Sequence, residues 1–398
     1  MPPCGHRVTV RYMTTLNQSP KDPSFVQDPY PFYQRARQAG DFVYWSDYEA
    51  WSATTHASVS TVLRDRRFGR VNPTLTVPPA LADFYAVEAH SMLELDPPHH
   101  TRLRGLVLRA FTSRRIMGLA PEIEQLCHDL IDAFPTGDFD LLTQYAQKLP
   151  VIIIARLLGV PETLSDQLLR WSNAMVRVYM AGHSADDARA ANDAAIAFSD
   201  FLRGYIETRR DTPADDLISH LIAAEEDGER LSTDELITTC ILLLNAGHEA
   251  TVHTLGNGVK LMLETGLRPT DDINPLIEEI LRYDPPLHIF SRWAREDVSL
   301  LGQDFKAGDR IDCLLASANR DPAIWEDAET FDPSRKATAN TSFGGGLHFC
   351  VGAPLARLEL QIALGVLFER CPALAVSSIP RYADVYHFHG LTELMVTR

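Results

Sequence analysis

Apolar positions in this chain recur mostly at helical spacing, and the longest such stretch runs from Thr233 to about Thr265. Ser232 and Glu235 at its start form a Ser-x-x-Glu capping pair, which satisfies backbone N–H groups that a helix start leaves unpaired. Gly266 stands where a left-handed C-terminal cap belongs. A helix of that length spans roughly 50 Å, enough to cross the molecule. Its middle, Ile241–Leu244, is apolar nearly all round, so burial on every side is expected. A shorter helix is predicted from about Pro275 to Tyr283, with Asn274 as N-cap, Pro275 in the first turn and Pro285-Pro286 as the stop. A third runs from Ala353 to about Arg370. Strand-like runs are short: Phe42–Trp45, Trp51–Thr54, Val298–Leu301, Arg310–Leu315, Ala375–Ser377 and Leu394–Thr397. They gather near the chain ends and just after residue 285. The pattern predicts a mainly α, α+β fold with a small β-rich part and no βαβ alternation.

The 398 residues are 45% hydrophobic, enough for a large core. No Ser/Gly linker, charge block or internal repeat divides them. The expected organisation is a flexible N-terminal extension over residues 1–19 and a single domain over 20–398. Net charge is −16, from 37 basic and 53 acidic side chains, which argues against nucleic-acid and anionic-membrane binding. No apolar run is long enough to span a bilayer. Met1–Arg11 is polar and lacks the apolar stretch of a signal peptide, and Met13 is an alternative start. The six cysteines, at 4, 127, 240, 313, 350 and 371, include no Cys-x-x-Cys pair. In a chain this long they read as reduced thiols, so a cytoplasmic location is expected.

One cysteine stands apart. Phe343-Gly-Gly-Gly-Leu-His348-Phe-Cys350-Val-Gly352 places Cys350 after a glycine-rich loop and at the start of the third helix. The positive end of a helix dipole and its unpaired N–H groups favour a thiolate. Glycines let the backbone approach a flat ligand. A lone cysteine beside glycines is also compatible with a small buried hydrophobe. The pattern Phe-Gly-x-Gly-x-His-x-Cys-x-Gly fixes six positions, however, and it resembles the haem-ligand loop of the cytochrome P450 superfamily at each of them. The resemblance implies the cytochrome P450 fold of the soluble bacterial type, with haem b as cofactor and Cys350 as its axial iron ligand. It places Phe343, Gly344, His348 and Gly352 against the haem, His348 as a propionate partner.

Inside the long helix, Ala246-Gly247-His248-Glu249-Ala250-Thr251 sets a carboxylate and a glycine among apolar residues. A buried carboxylate is costly unless paired or used. A close packing contact at Gly247 and a structural ion pair at Glu249 would also account for them. The segment looks like the oxygen-binding stretch of the family. That likeness sets Ala246 beside the haem and makes Glu249 the acid that relays protons. The family's usual threonine is replaced by Ala250, with Thr251 one residue later as the remaining candidate hydroxyl. One residue turns a side chain by about 100° on a helix, so Thr251 need not replace it.

Glu279 and Arg282 lie at i,i+3 and can pair. They resemble the family's Glu-x-x-Arg motif, whose third member is best matched by Arg335. His100 and Arg104, at i,i+4, can reach one anion. With Arg292 and His348 they match the family's haem-propionate partners, since charge-assisted pairs suit carboxylates. Residues 97–121 contain Arg102, Arg104, Arg109, Arg114 and Arg115 and no acid. That segment is either a solvated face or a docking patch for an acidic ferredoxin-type electron donor. Phe84, Tyr85, Tyr179, Phe290 and Phe388 suggest a small or medium-sized, largely apolar substrate, with His288 and His389 as polar recognition groups or all of them as core. The resemblance implies a monooxygenase that uses O2 and takes electrons from NAD(P)H through a ferredoxin. A non-catalytic haem-thiolate binder or sensor, and a peroxide-driven oxygenase, remain open alternatives.

Overall fold

Ser232 opens the central helix as the sequence predicts. Its hydroxyl accepts from Glu235 N while the Glu235 carboxylate takes the Ser232 N–H, and the helix runs unbroken over Thr233–Thr265 to Gly266, at φ +73°. A computed structural model describes residues 14–180, 182–224, 229–336 and 339–398. Buried side chains surround the helix along most of its length, which is why so apolar a segment is stable here. It packs on helices Lys148–Leu158, Ser165–Val176 and Ala185–Asp211 on its N-terminal half, and on Asn274–Tyr283 and Ala353–Arg370 further along. The last of these matches its predicted span.

Asn274 is not an N-cap. Helix Asn274–Tyr283 begins with it, and the oxygen that receives the Asn274 N–H, at 3.1 Å, belongs to Asp272.

The largest sheet has six strands in the order Thr15–Leu16, Phe42–Trp45, Ala50–Ala53, Arg310–Leu314, Ile289–Ala294, Phe68–Gly69. Ala53 pairs in parallel with Cys313, and Arg292 lies antiparallel to Ile311. Phe42, Val59, Phe68, Phe305 and Ile311 form a core beside this sheet, separate from the larger helical core. Thr15 and Leu16 pair in parallel with Tyr44 and Trp45, and Trp45 Nε1 donates to Gln18 O at 2.7 Å. The expected 1–19 extension is therefore too long, because the chain is tied into the sheet before residue 20. Residues 1–13, with Cys4 and Met13, lie outside the described residues.

Among the described residues no helix is long and apolar enough to cross a membrane. Cys127, Cys240, Cys313 and Cys371 are free and buried. Burial pushes the thiols of the first three up to about 12, so they are inert packing groups.

Candidate active site

The cysteine loop is shaped by two glycines. Gly344 and Gly346 have φ of +70° and +67°, which side chains resist. A Cβ at Gly346 would also lie 2.3 Å from the carbonyl oxygen of Leu63, where the loop crosses the end of helix His56–Arg64. Cys350 N closes the loop by donating to Phe343 O at 3.0 Å. The Phe343 ring lies beneath the Arg357 guanidinium, 4.5 Å from centroid to cation.

Burial raises the Cys350 thiol above its ordinary pKa. The N–H groups of Gly352 and Ala353, together with Arg104 and Arg357, oppose that rise without cancelling it. The helix-terminus N–H groups favour the thiolate, as the sequence predicts. A thiolate here requires a cation, and a metal supplies one by deprotonating its ligand. The side chain is nevertheless accessible.

The central helix presents an accessible face midway along its length. Leu242, Leu243, Ala246 and Ala250 are accessible, whereas Leu244, Asn245, His248 and Thr251 are buried. Ala246 is thus on the accessible face. Gly247 is a close packing contact, since a Cβ there would lie 2.6 Å from Ile154 Cδ1. Glu249 is mostly buried and pairs with His253, Oε1 to Nε2 3.1 Å, with His248 Nδ1 at 3.7 Å from its other oxygen. Burial pushes its carboxyl up, but the hydrogen bond and charge of His253, with His248, hold it below the ordinary value. Thr251 is 4% exposed and makes no hydrogen bond to Glu249.

Four predicted cationic groups converge. His100 and His348 stack with ring centroids 4.1 Å apart. Arg104 Nη2 donates to Phe349 O at 2.6 Å, bringing helix His99–Ala110 to the cysteine loop. Arg292 is 2% exposed, donates to Ser291 O at 3.1 Å and lies over Phe290 at 4.8 Å. Burial, with Arg70 beside it, lowers the Arg292 guanidinium to about 10. Burial, His348 and Arg104 lower His100 to about 4.

Three neighbours escaped the sequence reading. Arg70 lies over the other side of the site, donating to Ser291 O at 2.8 Å and sitting 4.3 Å from the Phe290 ring. Asp96 accepts from Arg70 N, Val71 N and Arg295; these and His348 outweigh burial and keep its carboxyl well below the usual range. His253 is the third, and its i,i+4 spacing from Glu249 was the available signal.

His288 and His389 do not face a substrate. His288 Nδ1 is 2.8 Å from Tyr33 Oη, His389 Nε2 is 3.6 Å from Asp284 Oδ1, and both are buried in one core network. Phe84 is also buried, in contact with Tyr85 and Tyr179, while Phe388 packs toward His253. Glu279 receives Arg282 through two bonds of 2.7 Å, Asp332 N at 2.7 Å and Arg335 Nε at 3.3 Å, as the motif predicts.

A family model described as Cytochrome P450 matches residues 273–377. The cytochrome P450 monooxygenase PikC of Streptomyces venezuelae is 38% identical over 371 residues, covering 89% of this chain and 87% of that protein. The chain belongs to the cytochrome P450 family. The vitamin D(3) 25-hydroxylase of Pseudonocardia autotrophica is likewise 38% identical, over 89% of both chains. The crystal structure of P450BioI with an acyl carrier protein ligated to hexadec-9Z-enoic acid has a TM-score of 0.90 at 33% identity, covering 94% of this chain and 99% of that one. The protein is thus a haem-thiolate P450 monooxygenase. Its donor set fits haem b. His100 Nδ1 and His348 Nε2 are buried without a hydrogen-bond partner, and Arg292 has no carboxylate in ion-pair range among the described residues. Two propionates are the anions such a cluster lacks.

Proposed function

We propose that this P450 inserts one oxygen atom of O2 into a small or medium-sized, largely apolar organic molecule in the cytoplasm, with electrons from NAD(P)H delivered by an acidic ferredoxin. The observation that carries the reading is the accessible face of the central helix, apolar except at Glu249 and His253, in a chain whose Cys350 side chain is accessible. When bound, the haem supplies reductive cleavage of dioxygen, one atom going to substrate and one to water. His100, Arg104, Arg292 and His348 hold its propionates. Phe343, Gly344 and Gly352 shape the loop against it, and Ala246 allows close approach on the opposite side.

Glu249 supplies protons to the cleft. With alanine at 250 and Thr251 turned into the core, the onward link is a water molecule or a hydroxyl of the substrate. The ferredoxin docks on the face around Arg109 and Arg114, beside exposed Leu108 and Met117. In the same segment Arg102 pairs with Glu229 and Glu235, and Arg115 with Asp215.

Turnover of a substrate found by a Soret-shift binding screen tests the reading. Product should form with NAD(P)H, ferredoxin and its reductase, and depend on O2. Product from peroxide alone, with none from the electron-transfer system, would establish the peroxide-driven alternative instead. Ligand binding with turnover under neither condition would leave a haem-thiolate sensor.

A further inference from the structure

We propose that His253 is a positioning residue that parks the Glu249 carboxylate away from the reaction cleft, and that the backbone of Gly390 holds His253 in this position. The proposal rests on the reading of Glu249 as proton donor and names what controls it.

Three observations carry it. First, the two side chains sit one turn apart on the accessible face of the central helix, joined Nε2 to Oε1 at 3.1 Å. A partner at i+4 draws the carboxylate toward the C-terminal turn. Ala246, at i−3, lies the other way. Second, the geometry fixes which ring nitrogen carries the proton. His253 Nδ1 is buried with no hydrogen-bond partner. It abuts Gly390 so closely that a Cβ there would lie 1.7 Å from it. A proton on Nδ1 would have no acceptor, whereas one on Nε2 is donated to Glu249. Third, the other groups near the carboxylate approach it less closely than His253. His248, on the same helix, approaches it at 3.7 Å. Across the helix face, the titratable group behind His253 is His389, which burial keeps neutral by lowering its pKa to about 3, and Phe388 lies 6.3 Å from the His253 ring. Helix Lys148–Leu158 contributes the apolar Ile154 to this stretch. Among the described residues no lysine or arginine pairs with Glu249.

A donor fixed in this way favours the ionised carboxylate and a single rotamer. To deliver a proton near Ala246 and Ala250, Glu249 must leave His253, take a proton from water and swing along the helix. Returning to His253 resets it. The latch thus separates the resting state from the delivering state by one rotamer change.

Three variants of the holoenzyme test this: His253→Ala, Gly390→Ala, and both together. Gly390 has no left-handed φ, so alanine is compatible with its backbone but not with the present His253 position. Two readouts are needed. One is infrared titration of the protonated-carboxyl stretch, assigned to Glu249 by its loss in Glu249→Gln. The other is product formation against pH. Both single variants should raise the pH at which Glu249 loses its proton by roughly one unit. The alkaline limb of the product profile should move up with it, because the proton donor stays loaded to higher pH. The double variant should shift no further, and His253→Gln, which keeps an N–H donor, should restore much of the wild-type position. An unmoved infrared titration in both single variants, with the Soret band intact, overturns the latch and leaves the proton-donor reading standing. Unchanged turnover in Glu249→Gln overturns the proton-donor reading, and with it any role for the latch in turnover.

Discussion

The imidazoles of His100 and His348 lie almost face to face, ring centroids 4.1 Å apart and planes 38° apart. Two such rings cannot both be charged without an anion between or beside them. In the polypeptide alone, burial lowers both pKa values. Asp96, 3.9 Å from His348, is too far to form a hydrogen bond with it and is already engaged by Arg295 and two backbone N–H groups. The pair is preorganised for an anion brought by the cofactor.

Arg104→Ala and Arg292→Ala should each lower haem occupancy. The loss is that of a charge-assisted hydrogen bond, about 1.5–3 kcal/mol. Haem content per chain, read from the Soret-to-protein absorbance ratio after purification, measures it. Equal occupancy in both variants would remove these arginines from the propionate site.

Cys350→Ser should abolish the long-wavelength Soret band of the reduced carbon-monoxide complex that marks thiolate ligation. A normal band in this variant would mean that another group holds the iron.

Gly346→Ala should yield a folded protein that binds little haem. Both the positive φ and the 2.3 Å approach to the Leu63 carbonyl oppose a side chain, and backbone cannot give way as a flexible side chain can. Far-UV circular dichroism should stay near wild type while haem content falls.

Gly247→Ala pits two effects against each other. Alanine gains about 1 kcal/mol of helix propensity over glycine. Overpacking against Ile154 Cδ1, at 2.6 Å, costs about 1–3 kcal/mol, so the single variant should be neutral or destabilised. With Ile154→Val the methyl group is gone, and Gly247→Ala should then stabilise. Urea unfolding of the four combinations measures the cycle.

Glu279→Ala should be among the most damaging single changes. It strands Arg282, whose side chain is 3% exposed, and removes the acceptor of Arg335 and Asp332 N. Removing one partner of a buried pair costs about 3–5 kcal/mol. Soluble yield and urea midpoint should both drop sharply.

The chemistry-bearing loops were the most legible part of the chain, because each is a local pattern. Residues 343–352 carry their glycines and cysteine within one turn of chain, and the capping signals at Ser232, Glu235 and Gly266 bound the central helix to the residue. Contacts between distant segments were less visible. Arg70 reaches the Phe290 ring from far along the chain, and nothing in its neighbourhood marks it. His288 and His389 carry the same side chain as His100 but lie in a core network with Tyr33 and Asp284. Only tertiary packing separates a ligand-facing histidine from a structural one.

The parallel pairing of Ala53 with Cys313 has a consequence for how the protein is made. The strands near the N-terminus are synthesised early, yet their inner edge stays open until the strands around residues 289–314 emerge. At roughly 5–20 residues per second, that interval is on the order of tens of seconds. During it, Trp51, Ala53 and their strand neighbours offer an unpaired edge to any other nascent chain. Yield in a fast-translating host should therefore respond to chaperone supply and growth temperature more than to haem supply, since the cysteine loop is made later still.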